Sequence, residues 1–383
     1  MTINEILTDE TLRRHEFPVT ERAVYLAHAG VCPLPRRVAQ AVSDCATRGA
    51  LDDQETAVPR TFLNETRAVA ARLLNAKPTE IALVGPTSLA LSLVANGLPF
   101  RRNTNIVVYF DDYPTNVYPW MTLADRGVEV RFLNVRRLGM IRPGDVIGQV
   151  DEDTRLVALA SGHFIAGWRL ELERIGRALR SRDIWFCVDG IQTLGAFPTT
   201  VGHVDILAAD AHKWLLGPCA AGVLYVREEL QQYLAPTVYG WHNVNCPNFV
   251  AQEDLTFKPD ARRYEAGSAN LVGIAGLRAA MELALEIGVD AIAAELRRKR
   301  SLMVSELVRR GYEVLGADAP PDNVSGITSF HRRGADMAAL HQRLTEAGIV
   351  ASLRTDRAGQ QYLRFSPQFY NTDAELGRAL ELL

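Results

Sequence analysis

Between about Tyr25 and Tyr264 the chain alternates short apolar runs with longer amphipathic segments, and this alternation restricts the possible folds more than any other feature. Seven runs have the length and composition of buried strands: 81–84, 105–110, 128–134, 156–160, 184–188, 205–208 and 222–226. Helical patterns fill most of the gaps. Strands separated by covering helices assemble into a mostly parallel sheet protected on both faces. The expectation is an α/β fold with a mostly parallel seven-stranded sheet.

The rest of the chain reads differently. Residues 1–20 are polar and amphipathic, predicting a helix and an extended arm. The stretch 272–311, rich in Ala, Leu, Glu and Arg, predicts long helix. Pro320-Pro321-Asp322 interrupts it. Strands near 326–330, 349–353 and 361–365, a helix near 336–347 and a last helix from Asp373 predict a small α+β unit. The division that follows is an arm over 1–20, a large domain over 21–265, and a linking helix with a small C-terminal domain over 266–383.

Composition narrows the function. The chain has 383 residues, a net charge of −3 and no polybasic run, which argues against nucleic acid as a partner. No apolar run has membrane-spanning length, and no membrane association is expected. The N-terminus lacks a basic segment leading into an apolar one, so no secretory signal is expected. The five cysteines are scattered without a CxxC pair, predicting a reducing, cytoplasmic setting. No HxxxH or HExxH spacing occurs, so no metal site is expected.

Two pieces carry chemistry. Val188-Asp189-Gly190-Ile191-Gln192 puts an acid at the end of an apolar strand, where open α/β sheets bind ligands. Asp210-Ala211-His212-Lys213-Trp214 puts a lysine on the turn after the next strand. Taken singly, Asp189 also reads as a strand-end cap and Lys213 as a solvated surface lysine. Together, a Schiff-base lysine and an acid holding a pyridinium nitrogen are what pyridoxal 5'-phosphate requires of a protein.

These pieces resemble the fold-type I pyridoxal phosphate enzymes, specifically the class V aminotransferase family, which includes cysteine desulfurases and isopenicillin N epimerase-like proteins. Further motifs extend the resemblance from Tyr25 to the tail around Asn371. The family implies that Gly222–Val226 is the one antiparallel strand of the large sheet. It implies Lys213 as Schiff-base lysine and proton carrier, with Asp189 on the ring nitrogen and Gln192 on the phenolic oxygen. Gly85-Pro86-Thr87-Ser88 opens a helix after a strand, and the family assigns Thr87, Ser88 and His212 to the phosphate; an N-cap is the other reading of the Thr-Ser pair. At Asp210 some relatives carry a phosphate-binding serine, a departure in this chain. In Asp112-Tyr113-Pro114-Thr115-Asn116, Tyr113 takes the ring-stacking position and Asn116 supports the loop or the phosphate. Arg263-Tyr264-Glu265-Ala266-Gly267-Ser268 matches a stretch whose hydroxyl, here Ser268, crosses to the partner's phosphate, which implies a homodimer with shared sites.

The tail Leu363-Arg364-Phe365-Ser366-Pro367 matches the motif whose arginine holds the substrate carboxylate. Tyr25-Leu26-Ala27-His28-Ala29-Gly30 matches an N-terminal loop that turns His28 and Ala29 toward substrate; a packed histidine is the other reading of His28. His163 lies at a strand end as a possible second acid–base group. Desulfurases carry a persulfide-forming cysteine on a loop before the tail arginine, and here residues 354–361 contain none. Cys32, in the N-terminal loop, has two readings, a thiol that approaches the site and, more commonly for such a residue, a small apolar filler. The expected activity is removal of the α-proton of a small L-amino acid through an internal aldimine, C–S lyase- or desulfurase-like without a persulfide loop, with epimerisation or transamination as alternatives. A binding protein that lost its chemistry is disfavoured by Lys213, Asp189 and Arg364 together, and a nucleotide enzyme by the lack of a phosphate-loop motif.

Overall fold

The computed structural model describes all 383 residues. Its main sheet has seven strands: Ile81–Ala82 (β1), Asn105–Val108 (β2), Glu129–Phe132 (β3), Thr154–Ala160 (β4), Trp185–Asp189 (β5), Ile206–Asp210 (β6) and Gly222–Val226 (β7). Their spatial order is β1-β7-β6-β5-β4-β2-β3. Strands β2 to β6 run parallel, and β7 runs antiparallel to both its neighbours. Each expected run carries one of these strands, shifted or trimmed at its ends.

Side chains alternate between two cores. Val107, Val157, Leu159, Phe186, Val188 and Leu207 enter one. Ile106, Val108, Leu156, Ala158, Cys187 and Ile206 enter the other. Apart from the half-exposed edge strand β3, both faces are dry, so the strands read as continuous apolar runs instead of an in–out alternation. Each large aliphatic side chain buried here contributes about 1.5–3 kcal/mol before chain entropy is counted.

A second sheet is built from Glu313–Val314 (β8), Thr328–His331 (β9), Ser352–Thr355 (β10) and Gln361–Phe365 (β11), antiparallel in the order β10-β11-β9-β8. The single strand expected over 349–353 is split. Ile349–Val350 pairs in parallel with Val24–Tyr25, and only the residues from Ser352 onward join β11.

Two other expectations need correction. Residues 1–20 form two short helices, Ile3–Thr8 and Glu10–Glu16, and no extended arm precedes Phe17. Thr2 and Glu5 make a reciprocal capping box on the first helix, and Asp9 caps the second through the Thr11 and Leu12 amides. Ile6 and Phe17 then pack with Ile287, Leu296, Ile327, Phe369 and Tyr370. The helix expected over 272–311 breaks into Leu271–Ile287 and Val289–Arg309. Gly288 sits between them at φ 89°, a backbone state that glycine adopts without strain. No helix is long and apolar enough to cross a membrane.

Candidate active site

The carboxyl ends of the parallel strands open onto one cleft, and β10 and β11 face them. Asp189 ends β5, between Ala160 of β4 and Ala208 of β6. It is 1% exposed. One carboxylate oxygen accepts from the Ile191 amide at 3.0 Å, and the other has no protein donor. Burial pushes its carboxyl up to about 6, with Asp112 adding to the shift and the Ile191 amide, Lys213 and His212 opposing it.

Lys213 stands on the turn after β6. That turn is closed by the Gly217 amide on the Ala211 carbonyl and by the Leu216 amide on Lys213 itself. The side chain is buried, not solvated. Its Nζ lies 5.0 Å from the centre of the Tyr113 ring and makes no hydrogen bond. Burial brings the amine down to about 8, against the pull of Asp189. Tyr113 is half exposed and packs edge-on to Phe164 at 5.3 Å.

Asp189, Lys213 and Tyr113 line a cavity of about 280 Å³ together with Thr87, Ser88 and His212. Thr87 and Ser88 begin the helix Thr87–Gly97, whose cap residue, Pro86, offers no side-chain acceptor. The amides of such a first turn lack intrahelical acceptors and face an anion favourably. The Ser88 hydroxyl is 2.8 Å from that of Thr115, and the Thr87 hydroxyl accepts from the Asp210 amide at 2.9 Å. The buried Nδ1 of His212 has no hydrogen-bond partner; Asp210 lies 3.3 Å away but out of line. The Asp210 carboxylate itself accepts from the Ala211 and Ala220 amides at 2.7 and 3.1 Å. The departure at this position is thereby explained: the acid holds the lysine turn.

Ala29, Gln192 and Arg364 also line the cavity. Gln192 donates to the Ala29 carbonyl at 3.2 Å and accepts from the Trp214 indole at 2.8 Å, which leaves one amide N–H free. Arg364, on β11, is 1% exposed. It donates to the Phe164 carbonyl at 2.6 Å and the Ser352 hydroxyl at 3.3 Å, and its Nε has no partner. No carboxylate meets it. Burial brings its guanidinium down to about 9, with nearby Arg354 adding to the shift. A buried cation without a counterion is costly, and a ligand carboxylate offsets that cost.

Four residues singled out in the sequence lie outside the cavity. His28 is fully buried, donating through Nδ1 to the Ser366 carbonyl and accepting at Nε2 from the Tyr370 hydroxyl at 2.7 Å. Burial holds its imidazole at about 4, and it locks the N-terminal loop to the tail instead of facing a substrate. His163 accepts from the Ala166 amide at Nδ1 and donates through Nε2 to the Asp111 carbonyl, with its imidazole also held at about 4 by burial. Both its nitrogens serve the backbone. Asn116 bridges Asp112 and the Trp120 indole, bracing the loop that carries Tyr113. Ser268 lies in a separate pocket with His242 and Glu265, and a buried Arg67–Glu265 ion pair anchors its motif.

The sequence reading missed Arg354, Thr115 and Phe164, which also line the cavity. The signal for Arg354 was the two-residue period of β10. Ser352 pairs with Arg364, and Arg354 emerges on the same face one step further along.

A desolvated lysine and a strand-end acid in a cleft of a helix-covered parallel sheet define a fold-type I pyridoxal phosphate enzyme. The profile described as Aminotransferase class-V matches residues 24–378, and the chain belongs to that family. It is similar to a probable cysteine desulfurase of Methanothermobacter thermautotrophicus, 29% identical over an alignment covering 96% of each chain. It is also similar to an uncharacterized aminotransferase, YcbU, of Bacillus subtilis, 24% identical over 96% of this chain and 95% of that one. Among solved structures, the apo cysteine desulfurase of Thermococcus onnurineus superposes with a TM-score of 0.88 at 23% identity, covering 96% of both chains. A cystine C–S lyase in complex with cysteine persulfide superposes at 0.85 and 22% identity, over 95% of this chain and 98% of that one. Class V aminotransferases are pyridoxal phosphate enzymes, and the cavity fits that cofactor: a free acid oxygen, an unbonded amine and an unpartnered His212 nitrogen beside a helix start all face it.

Proposed function

We propose that the protein acts on a small L-amino acid as a C–S lyase- or desulfurase-like enzyme that does without a cysteine on the loop before its tail arginine. In this reading Thr87, Ser88 and His212 hold the cofactor phosphate, Asp189 the ring nitrogen, Gln192 the phenolic oxygen, and Tyr113 covers the ring. The bound cofactor supplies an electron sink for the charge left when the substrate α-proton departs. Lys213, in its neutral form, accepts that proton; burial makes this form accessible near neutral pH. Arg364 turns the substrate by its carboxylate so that the bond to be broken faces Lys213.

The observation that carries the no-relay reading is the segment between β10 and β11. It is a short, tied hairpin with no cysteine: the Gln360 amide donates to the Asp356 carboxylate at 2.9 Å, the Tyr362 hydroxyl does so at 3.0 Å, and Arg357 pairs with Asp111 at 2.6 Å. No cysteine lines the cavity. Cys32 is buried with its thiol pushed up to about 12, which keeps it protonated and a poor nucleophile. Relatives called cysteine desulfurases support the reaction class. All five cysteines are free, in keeping with a reducing compartment. The test is a panel of L-amino acids with products identified, L-cysteine and L-cystine first. Sulfur release that survives Cys32→Ser supports the reading. Loss of sulfur release in that variant, with cofactor binding intact, would move the nucleophile to the N-terminal loop. Release of a racemised or transaminated product alone would favour the epimerase or aminotransferase alternative.

A further inference from the structure

We propose that the substrate carries a second acidic group on its side chain, and that Arg354 reads it. This rests on the reading of Arg364 as the α-carboxylate site. In the β10–β11 ladder Ser352 lies opposite Arg364, so Arg354 is its diagonal neighbour on the same face. The two heads converge: Nη2 of each stands 3.7 Å from the position a Cβ on Gly30 would take. Neither guanidinium meets a carboxylate, and the Nε of each is buried without a partner. An acid was within reach of this hairpin, because Arg357 found Asp111. Two like charges placed side by side without a counterion destabilise the empty site. Their persistence points to a ligand that neutralises both.

The cavity is lined by two guanidinium cations, Arg354 and Arg364, by Lys213, whose amine is taken up in carrying the cofactor, and by one acid, Asp189. In the proposed reading Asp189 faces the cofactor ring and the phosphate sits at the Thr87 helix. A substrate α-carboxylate then answers Arg364 and leaves Arg354 unmatched. A carboxylate on a short side chain offers two oxygens in the plane that a guanidinium fork reads. The tied hairpin fixes the backbone that carries Arg354 before the ligand arrives, so only its side chain remains to be ordered.

The experiment is a titration of the visible absorption band of the cofactor-loaded protein with L-aspartate, L-asparagine, L-glutamate, L-glutamine and L-alanine. Each acid should bind at least about tenfold more tightly than its amide, the discrimination expected of one charge-assisted fork. Arg354→Gln should erase that preference and leave L-alanine unchanged. A second measurement needs no cofactor: succinate should raise the melting temperature of the apoprotein more than butyrate does, and Arg354→Gln should remove the difference. Equal affinity of acids and amides in the wild type overturns the proposal. So does an Arg354→Gln variant that weakens L-alanine as much as L-aspartate, since both guanidiniums would then hold one α-carboxylate. A yellow protein whose band no amino acid perturbs refutes the amino-acid reading itself, and a separate succinate effect distinguishes that failure from this one.

Discussion

Lys213 and Asp189 are both held toward their neutral forms by burial, and each is the charge that most opposes that shift in the other. Two expectations follow. Capture of the cofactor aldehyde requires the unprotonated amine, so uptake by the apoprotein should accelerate roughly tenfold per pH unit up to about 8 and then level. Stopped-flow absorbance gives the profile, and a rate still climbing toward 10 would contradict a desolvated Lys213. A carboxyl raised to about 6 from an unfolded value near 3.8 favours folding below the lower value and opposes it above the higher one. Asp189→Asn should therefore stabilise the apoprotein at pH 7.5, by at most about 3 kcal/mol, while slowing α-proton exchange in the loaded enzyme by orders of magnitude. A less stable apoprotein, or near-normal exchange, would count against the assignment. These residues were legible because strand ends and the turn after a strand announce themselves in local sequence. The packed reading of His28, and the engagement of both His163 nitrogens with the backbone, could not be told from local sequence, because Ser366 and Tyr370 in one case and Asp111 in the other lie far along the chain.

The lysine turn is the element whose geometry decides the chemistry, and its backbone is strained. Leu216 and Ala220 both have positive φ, 62° and 58°. Ala220 is exposed and donates its amide to Asp210, so its side chain contributes little packing while its Cβ crowds the backbone. Ala220→Gly should stabilise the protein by about 0.5–1 kcal/mol, the left-handed cost less the extra flexibility of an unfolded glycine. Thermal denaturation measures it, and a fall in melting temperature would show that the left-handed backbone at Ala220 carries no strain that glycine relieves. Six strands of the main sheet could be read from the sequence because both faces are buried and the runs are unbroken; the edge strand β3, Glu129–Phe132, is half exposed and shows instead as an alternation of Val128, Val130 and Phe132 with Glu129 and Arg131. Gly288 was hidden by good helix formers on either side. The split at Ala351 was hidden because Val24–Tyr25, the partner of Ile349–Val350, is remote in sequence. Arg354 escaped for the same reason: its role depends on the register between β10 and β11, which composition does not encode.

At the scale of the molecule, Ser268 lines a pocket apart from the chain's own active-site cavity. A homodimer in which each Ser268 completes the partner's phosphate site accounts for that placement, and mixing inactive subunits tests it. A subunit carrying Lys213→Ala paired with one carrying Ser268→Ala should yield one fully intact site per mixed dimer, so activity should rise on mixing above either parent. No gain, with mixed dimers demonstrated, would place Ser268 outside the site. Every role proposed for the cavity residues requires Lys213 to carry the cofactor. The most direct measurement is borohydride reduction of the purified, pyridoxal phosphate-loaded protein followed by peptide mapping. The account predicts a yellow protein, loss of the visible band on reduction, and the phosphopyridoxyl mass on the peptide containing Lys213 and on no other. A colourless protein that the cofactor cannot reconstitute, or the label on a different lysine, would contradict it.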